Sequence, residues 1–157
     1  MPDNNPSKDP AKSIFSDGTM LAKIFLAISI LPLAFIFTLQ YAAGLTECKH
    51  LYQYIPYFIT IIFSLLALIN PSIKIFLLSA TVIMQAFLVE AAIAFYHIGI
   101  EKHWWQGVSA DQNICDASPL ELAGMPVSLW NFIYALIAGI ASAYITKKYI
   151  KLKAGIE

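Results

Sequence analysis

Four long apolar runs constrain this chain more than any other feature: Ile24 to Ala43, Ile55 to Ile69, Ile75 to Tyr96 and Val127 to Ile145. A helix crosses a hydrocarbon core about 30 Å thick with about 20 mostly apolar residues, because each residue rises about 1.5 Å and every backbone polar group must be satisfied internally. The runs therefore predict an all-α membrane protein, a four-transmembrane-helix up-down bundle. Composition supports this, since 59% of the 157 residues are hydrophobic and 13% charged, against about 45–50% and about 25% in soluble domains. Ten basic residues, all lysine, balance ten acidic ones. That excludes a nucleic-acid reader driven by phosphate neutralisation.

Each run has its own punctuation. Before the first lies a polar leader with Pro2, Pro6 and Pro10, predicted to be flexible as far as residue 23. A cleaved signal peptide is the competing reading of this first run. It is longer than an apolar signal region of about 7–15 residues and lacks an A-x-A exit, which favours an anchor. The second run is short, with Pro56 expected in its first turn and Asn70-Pro71-Ser72 marking a tight turn after it. Gln85 and Glu90 interrupt the third run and are both expected to face the bundle rather than lipid. In the fourth, Gly139, Ala141, Ser142 and Ala143 are small enough to let helices approach closely.

Short lysine-rich loops stay cytoplasmic, which sets the orientation. Lys8, Lys12 and Lys23 precede the first run, Lys74 lies between the second and third, and Lys147, Lys148, Lys151 and Lys153 follow the fourth. With four spans these share one side. Both termini are thus predicted cytoplasmic, with loops 44–54 and 97–126 external. The chain divides into a leader (1–23), a membrane domain (24–146) and a Lys-rich tail (147–157).

Both cysteines, Cys48 and Cys115, fall in the external loops, on the side where disulfides persist. They read as a placed pair or as two unrelated thiols, and polar surroundings favour the pair. No Cys/His spacing resembles a zinc site, so no metal is expected. If the third helix continues a turn past the membrane, Glu90, His97 and Glu101 share one face. Two accounts are open there. His97 and Glu101 form an interfacial pair beside an aromatic belt of Trp104 and Trp105, or they handle protons or hold a polar head group under that pair as a lid.

Three stretches resemble the disulfide bond formation protein B (DsbB) family. Gly44-Leu45-Thr46-Glu47-Cys48, followed by Leu51-Tyr52-Gln53-Tyr54-Ile55-Pro56-Tyr57, is similar to the family's G-L-x-P-C-x-x-C-L-Y-Q-R-I-P-Y. Tyr96-His97-Ile98-Gly99-Ile100-Glu101, with Trp105-Gln106-Gly107, resembles Y-H-x-G-V-E and W-x-G-P. Cys115-Asp116, then Gly124 and Trp130-Asn131, resembles C-D and G-x-S-x-x-x-W-N, with Pro126 where the serine would be. The three occur in order over about residues 20–150.

The resemblance implies a bacterial inner-membrane protein that passes electrons from a periplasmic thioredoxin-fold thiol oxidoreductase, DsbA-like, to a membrane quinone, ubiquinone or menaquinone. It implies redox roles for Cys48 and Cys115 and a quinone site near Tyr52, Gln53, His97 and Glu101. The family mechanism uses two cysteine pairs, and this sequence keeps one cysteine of each. After Cys48, Lys49-His50-Leu51 reaches Tyr52 one residue early, and Asp111 stands near the place of the other missing cysteine. Tyr54 replaces the family's arginine. One reading is a single Cys48–Cys115 bridge attacked by the partner. The other is a redox-silent relative whose bridge only clamps the loops while it binds quinone, lipid or another membrane protein. A small transporter finds little support, since no internal repeat is visible.

Overall fold

A computed structural model of the chain describes residues 15, 17–42, 51–102, 104 and 121–155, without the side chains of residues 40, 42, 51–53 and 101. Among these residues four helices form: α1 (Gly18–Ala42), α2 (Leu51–Ile69), α3 (Ile73–Glu101) and α4 (Val127–Ala154). A two-stranded hairpin, β1 (Glu121–Leu122) and β2 (Met125–Pro126), precedes α4. Segments 18–39, 73–100 and 127–154 are long and apolar enough to cross a membrane, and Tyr54–Ile69 is a shorter apolar helix.

Neighbouring helices run antiparallel, as side-chain pairs show. Phe37 of α1 stacks on Tyr54 of α2 at 5.1 Å, and Tyr57 of α2 meets Phe87 of α3 edge-on at 6.3 Å. Along α3 and α4 the pairs Phe76–Tyr149 (4.4 Å) and Phe95–Phe132 (5.8 Å) lie at opposite ends. The bundle thus has a turn end, where α2 passes into α3, and a loop end, where Ala42, Leu51, Glu101 and Val127 gather. The core combines Leu21, Phe25, Tyr57, Phe76, Ile83 and Phe87, all within 1% of full burial. The outside is equally apolar, with Leu31 67%, Ile62 60% and Ile137 62% exposed. An exposed apolar surface of this extent suits lipid and not water.

Local chemistry explains the helix ends. Asp17 caps α1, its carboxylate accepting from the Thr19 backbone N–H at 2.9 Å and from the Thr19 hydroxyl. These bonds hold the Asp17 carboxyl below its ordinary range. At the expected turn, Ser72 caps α3 by accepting from the Ile75 N–H. Gly155, at φ 66°, stops α4, and Lys151 and Lys153 in its last turn oppose the helix dipole.

Several expected boundaries move. Residues 18–23, expected to be part of a flexible leader, are helical because the cap lies at Asp17. Helix α2 starts at Leu51 rather than Ile55, so Pro56 lies inside it and not in its first turn. Proline has no N–H to offer the carbonyl four residues back, so Tyr52 has no intrahelical partner from Pro56. The tail after Ile145 continues as helix to Ala154, since lysine is a good helix former. Gln85 is exposed on α3, against expectation, whereas Glu90 is fully buried. The packing stripe Phe76, Ala80, Ile83, Phe87, Glu90, Ala94, His97 recurs every three or four residues, and Gln85 falls on the opposite face.

Small residues set the close approaches of α4, although the buried set is Ala135, Ala138, Gly139 and Ser142, and Ala143 is exposed. Buried hydroxyls turn back into their own helices: Ser29 donates to Phe25 O, Ser64 to Thr60 O and Ser142 to Ala138 O, at 2.7–2.8 Å. Pro32 leaves the Ile28 carbonyl of α1 without an N–H partner. The Tyr134 hydroxyl of α4 donates to that carbonyl at 2.5 Å.

Candidate functional site

The loop end collects the polar residues. Helix α3 does continue past the third apolar run, so Glu90 and His97 lie two turns apart on one buried face, His97 at 6% exposure. Glu101 is the last residue of that helix. Tyr52 and Gln53 sit in the first turn of α2. Because α2 begins where α3 ends, the fold brings these backbone positions to the end occupied by His97. Cys48 and Cys115 lie outside the described residues, as do Lys49, His50 and Trp105. The chain on either side of both cysteines belongs to elements that reach the loop end, Ala42 and Leu51 for Cys48, Glu101 and Glu121 for Cys115.

A hydrogen-bonded chain below this end was not apparent from the sequence. Tyr57 of α2 donates to Asn131 Oδ1 of α4 at 2.5 Å, and Asn131 Nδ2 donates to Glu90 Oε1 of α3 at 2.5 Å. Three helices therefore share one polar relay through a single amide. Glu90 Oε2 is buried and has no hydrogen-bond partner among the described residues. Asn131 and Tyr57 each belong to a motif quoted above, Trp-Asn and Ile-Pro-Tyr. Their signal was a polar group inside an apolar run, which marks a function or a helix contact in a membrane.

The loop-end edge is fixed by backbone bonds. Lys102 N–H caps α3 against Ile98 O and Ile100 O, and Trp104 N–H returns to Gly99 O at 2.8 Å. Trp104 lies against Phe95 with ring centres 6.3 Å apart and stays 58% exposed. It covers the outer side of α3 and leaves the His97 face to other residues. The hairpin turns through Ala123 (φ 54°) and Gly124 (φ 75°), the paired positive φ of a type I′ turn. Trp130 Nε1 donates to Leu122 O at 3.0 Å, tying this hairpin to the start of α4.

This arrangement can do proton chemistry: a buried imidazole, a buried carboxyl and an amide relay stand towards the end from which both cysteine-bearing segments depart. No metal-binding cluster of His, Cys, Asp or Glu occurs among the described residues. The family model described as "Disulfide bond formation protein DsbB" matches residues 19–145. No curated protein and no solved structure matches the chain significantly. The match reaches into all four helices and takes in both cysteine-bearing segments and the polar relay, and the chain belongs to the DsbB family of disulfide bond formation membrane proteins.

Proposed function

We propose that this chain is an inner-membrane thiol:quinone oxidoreductase that supports disulfide formation in periplasmic proteins. It takes electrons from a soluble thioredoxin-fold, DsbA-like partner and passes them to ubiquinone or menaquinone. The family match over residues 19–145 carries this reading. In it all four helices cross the membrane, with both termini cytoplasmic and loops 44–54 and 97–126 periplasmic. Residues 24–146 form the membrane domain, with residues 1–23 before it and the tail 147–157 after it.

Two features support placing the quinone at the loop end: His97 is a buried imidazole there, and Tyr54 stacks on Phe37. Bound there, a quinone accepts two electrons and two protons. In this reading Cys48 and Cys115 rest as a disulfide, and the partner's thiolate attacks Cys115 Sγ. The partner's second thiol then resolves the mixed disulfide, so the partner leaves oxidised and both thiols of this chain are freed. Lys49 and His50 favour the thiolate of Cys48, the electron donor. Re-forming the Cys48–Cys115 bond releases two electrons and two protons to the quinone. His97 and Glu101 move the protons, Gln53 donates a hydrogen bond to a quinone oxygen, and Tyr52 lines the same site.

The test is quinone reduction by purified protein in detergent, supplied with a reduced thioredoxin-fold partner and followed by quinone absorbance. Turnover is expected, and Cys48→Ser and Cys115→Ser should each abolish it. Activity retained in Cys48→Ser would sink the electron-donor role. The missing second cysteine of the C-x-x-C favours a second reading, a bridge that only staples the loops. Absence of turnover with several partners and quinones, the bridge remaining intact, would establish that reading instead.

A further inference from the structure

The turn end carries a feature with no part in thiol chemistry. Between α3 and α4 lies a groove of about 300 Å³, walled by Ala80 and Met84 on one side and by Ala143 and Thr146 on the other, with Lys147 and Lys151 at its rim. Its size is at the lower end for small-molecule sites, about 300–1,000 Å³. The two hydroxyls along it, Thr81 and Thr146, donate to Leu77 O and Ser142 O of their own helices. The walls therefore offer hydrocarbon and no free donor.

The lysines of this end divide by task. Lys148 Nζ lies 3.8 Å from the Phe15 ring centre, and Lys153 Nζ lies 5.8 Å from that of Tyr149, so both face aromatic surfaces of this chain. Lys147 and Lys151 are exposed, one helical turn apart, and no acidic residue lines their groove. Ala143 lies one turn deeper than Lys147, about 6 Å along the axis. A paired positive charge thus stands beside an apolar groove between α3 and α4.

We propose that this groove binds an anionic diacyl phospholipid, with the phosphate on Lys147 and Lys151 and an acyl chain along Ala80, Met84 and Ala143. Charge complementarity selects the headgroup, and the apolar channel selects a lipid over a soluble phosphate. Basic pockets between transmembrane helices hold anionic headgroups in this way. The assignment rests on the chain's membership of a membrane family and is independent of the redox reading.

Native mass spectrometry of the full chain, released from neutral detergent after incubation with equal phosphatidylglycerol and phosphatidylcholine, tests it. Retained phosphatidylglycerol should exceed phosphatidylcholine by about thirtyfold, from two lysines near the surface. Lys147→Gln with Lys151→Gln should bring the ratio to about one, and Lys74→Gln, at the same end but outside the groove, should leave it unchanged. Ala143→Leu fills the channel and should lower retention of both lipids. No preference in the unaltered chain, a preference surviving the double substitution, or an equal loss in Lys74→Gln would each overturn the proposal. Unchanged retention in Ala143→Leu would show that surface charge acts without the groove, and would overturn it as well. Both substituted lysines are exposed, so the double variant tests binding in a folded protein.

Discussion

The two ends of the bundle use their buried volume differently. At the turn end Phe25, Phe76 and Tyr149 pack ring on ring, and a Cβ added at Gly18 would lie only 3.3 Å from the Tyr149 hydroxyl. The core of that end is filled with aromatic and aliphatic side chains. Towards the loop end the equivalent volume holds Glu90, Asn131, Tyr57 and His97. Buried polar groups contribute less to stability than well-packed apolar ones of similar volume. Under the proposed function, a chain that keeps them beside its cysteine-bearing segments uses that end for chemistry and the other for cohesion.

The sharpest way to break this contrast is to damage each end and read activity and stability separately. His97→Gln, close in size, should lower quinone-linked turnover by about 10²–10⁴-fold, the usual contribution of a positioned proton-transfer group. Its thermal unfolding midpoint should move little. A loss within about threefold would remove His97 from proton handling. Phe76→Ala should do the reverse, costing about 3–5 kcal/mol in denaturant unfolding while turnover per folded molecule is preserved. If Phe76→Ala abolished turnover in protein that is still folded, the two ends would not be separable.

Asn131 tests whether the relay is there for stability. Asn131→Leu strands Glu90 Oε1 and the Tyr57 hydroxyl together. The expected cost is about 1–3 kcal/mol, because a buried polar group left unpaired loses its partner without regaining water. Replacing all three at once, with Tyr57→Phe, Glu90→Leu and Asn131→Leu, should recover most of that loss, since apolar groups of similar shape leave nothing unsatisfied. If the triple variant were much less stable than Asn131→Leu alone, the relay would be a structural keystone and the contrast between the ends would fail.

What the sequence revealed and what it hid follow from the range of the forces involved. Hydropathy identified the four helices because apolar character is a property of each segment. It placed Val127 correctly as the start of α4 and the turn at Asn70–Ser72, where local capping decides the geometry. It misplaced Gln85, because a single polar residue does not reveal the helical phase, whereas the buried stripe through Ile83, Phe87, Glu90 and Ala94 does. The hairpin escaped notice because Ala123-Gly124 lacks the Asn or Asp that usually signals a type I′ turn. Of the candidate site, the resemblance named Tyr52 and Gln53, and the up-down order puts their backbone positions at the same end as His97 and Glu101. The Tyr57–Asn131–Glu90 chain depends on the registers of three helices, which no single segment encodes.

The smallest expected effect concerns the same kind of register, between α1 and α4. Pro32 removes an N–H from α1, and the Tyr134 hydroxyl occupies the carbonyl of Ile28 that this exposes. Tyr134→Phe should cost about 1 kcal/mol in unfolding, within the range of a net intramolecular hydrogen bond and of those measured between membrane helices. The cause can be isolated by a double-mutant cycle. Pro32→Ala returns an N–H to the helix, so the Ile28 carbonyl gains a partner in α1 and no longer depends on α4. In that background Tyr134→Phe should cost clearly less, and the difference is the coupling between the proline and the tyrosine. Equal costs in the two backgrounds would mean that Tyr134 contributes by packing alone, and that the proline's open carbonyl is not what draws α4 onto α1.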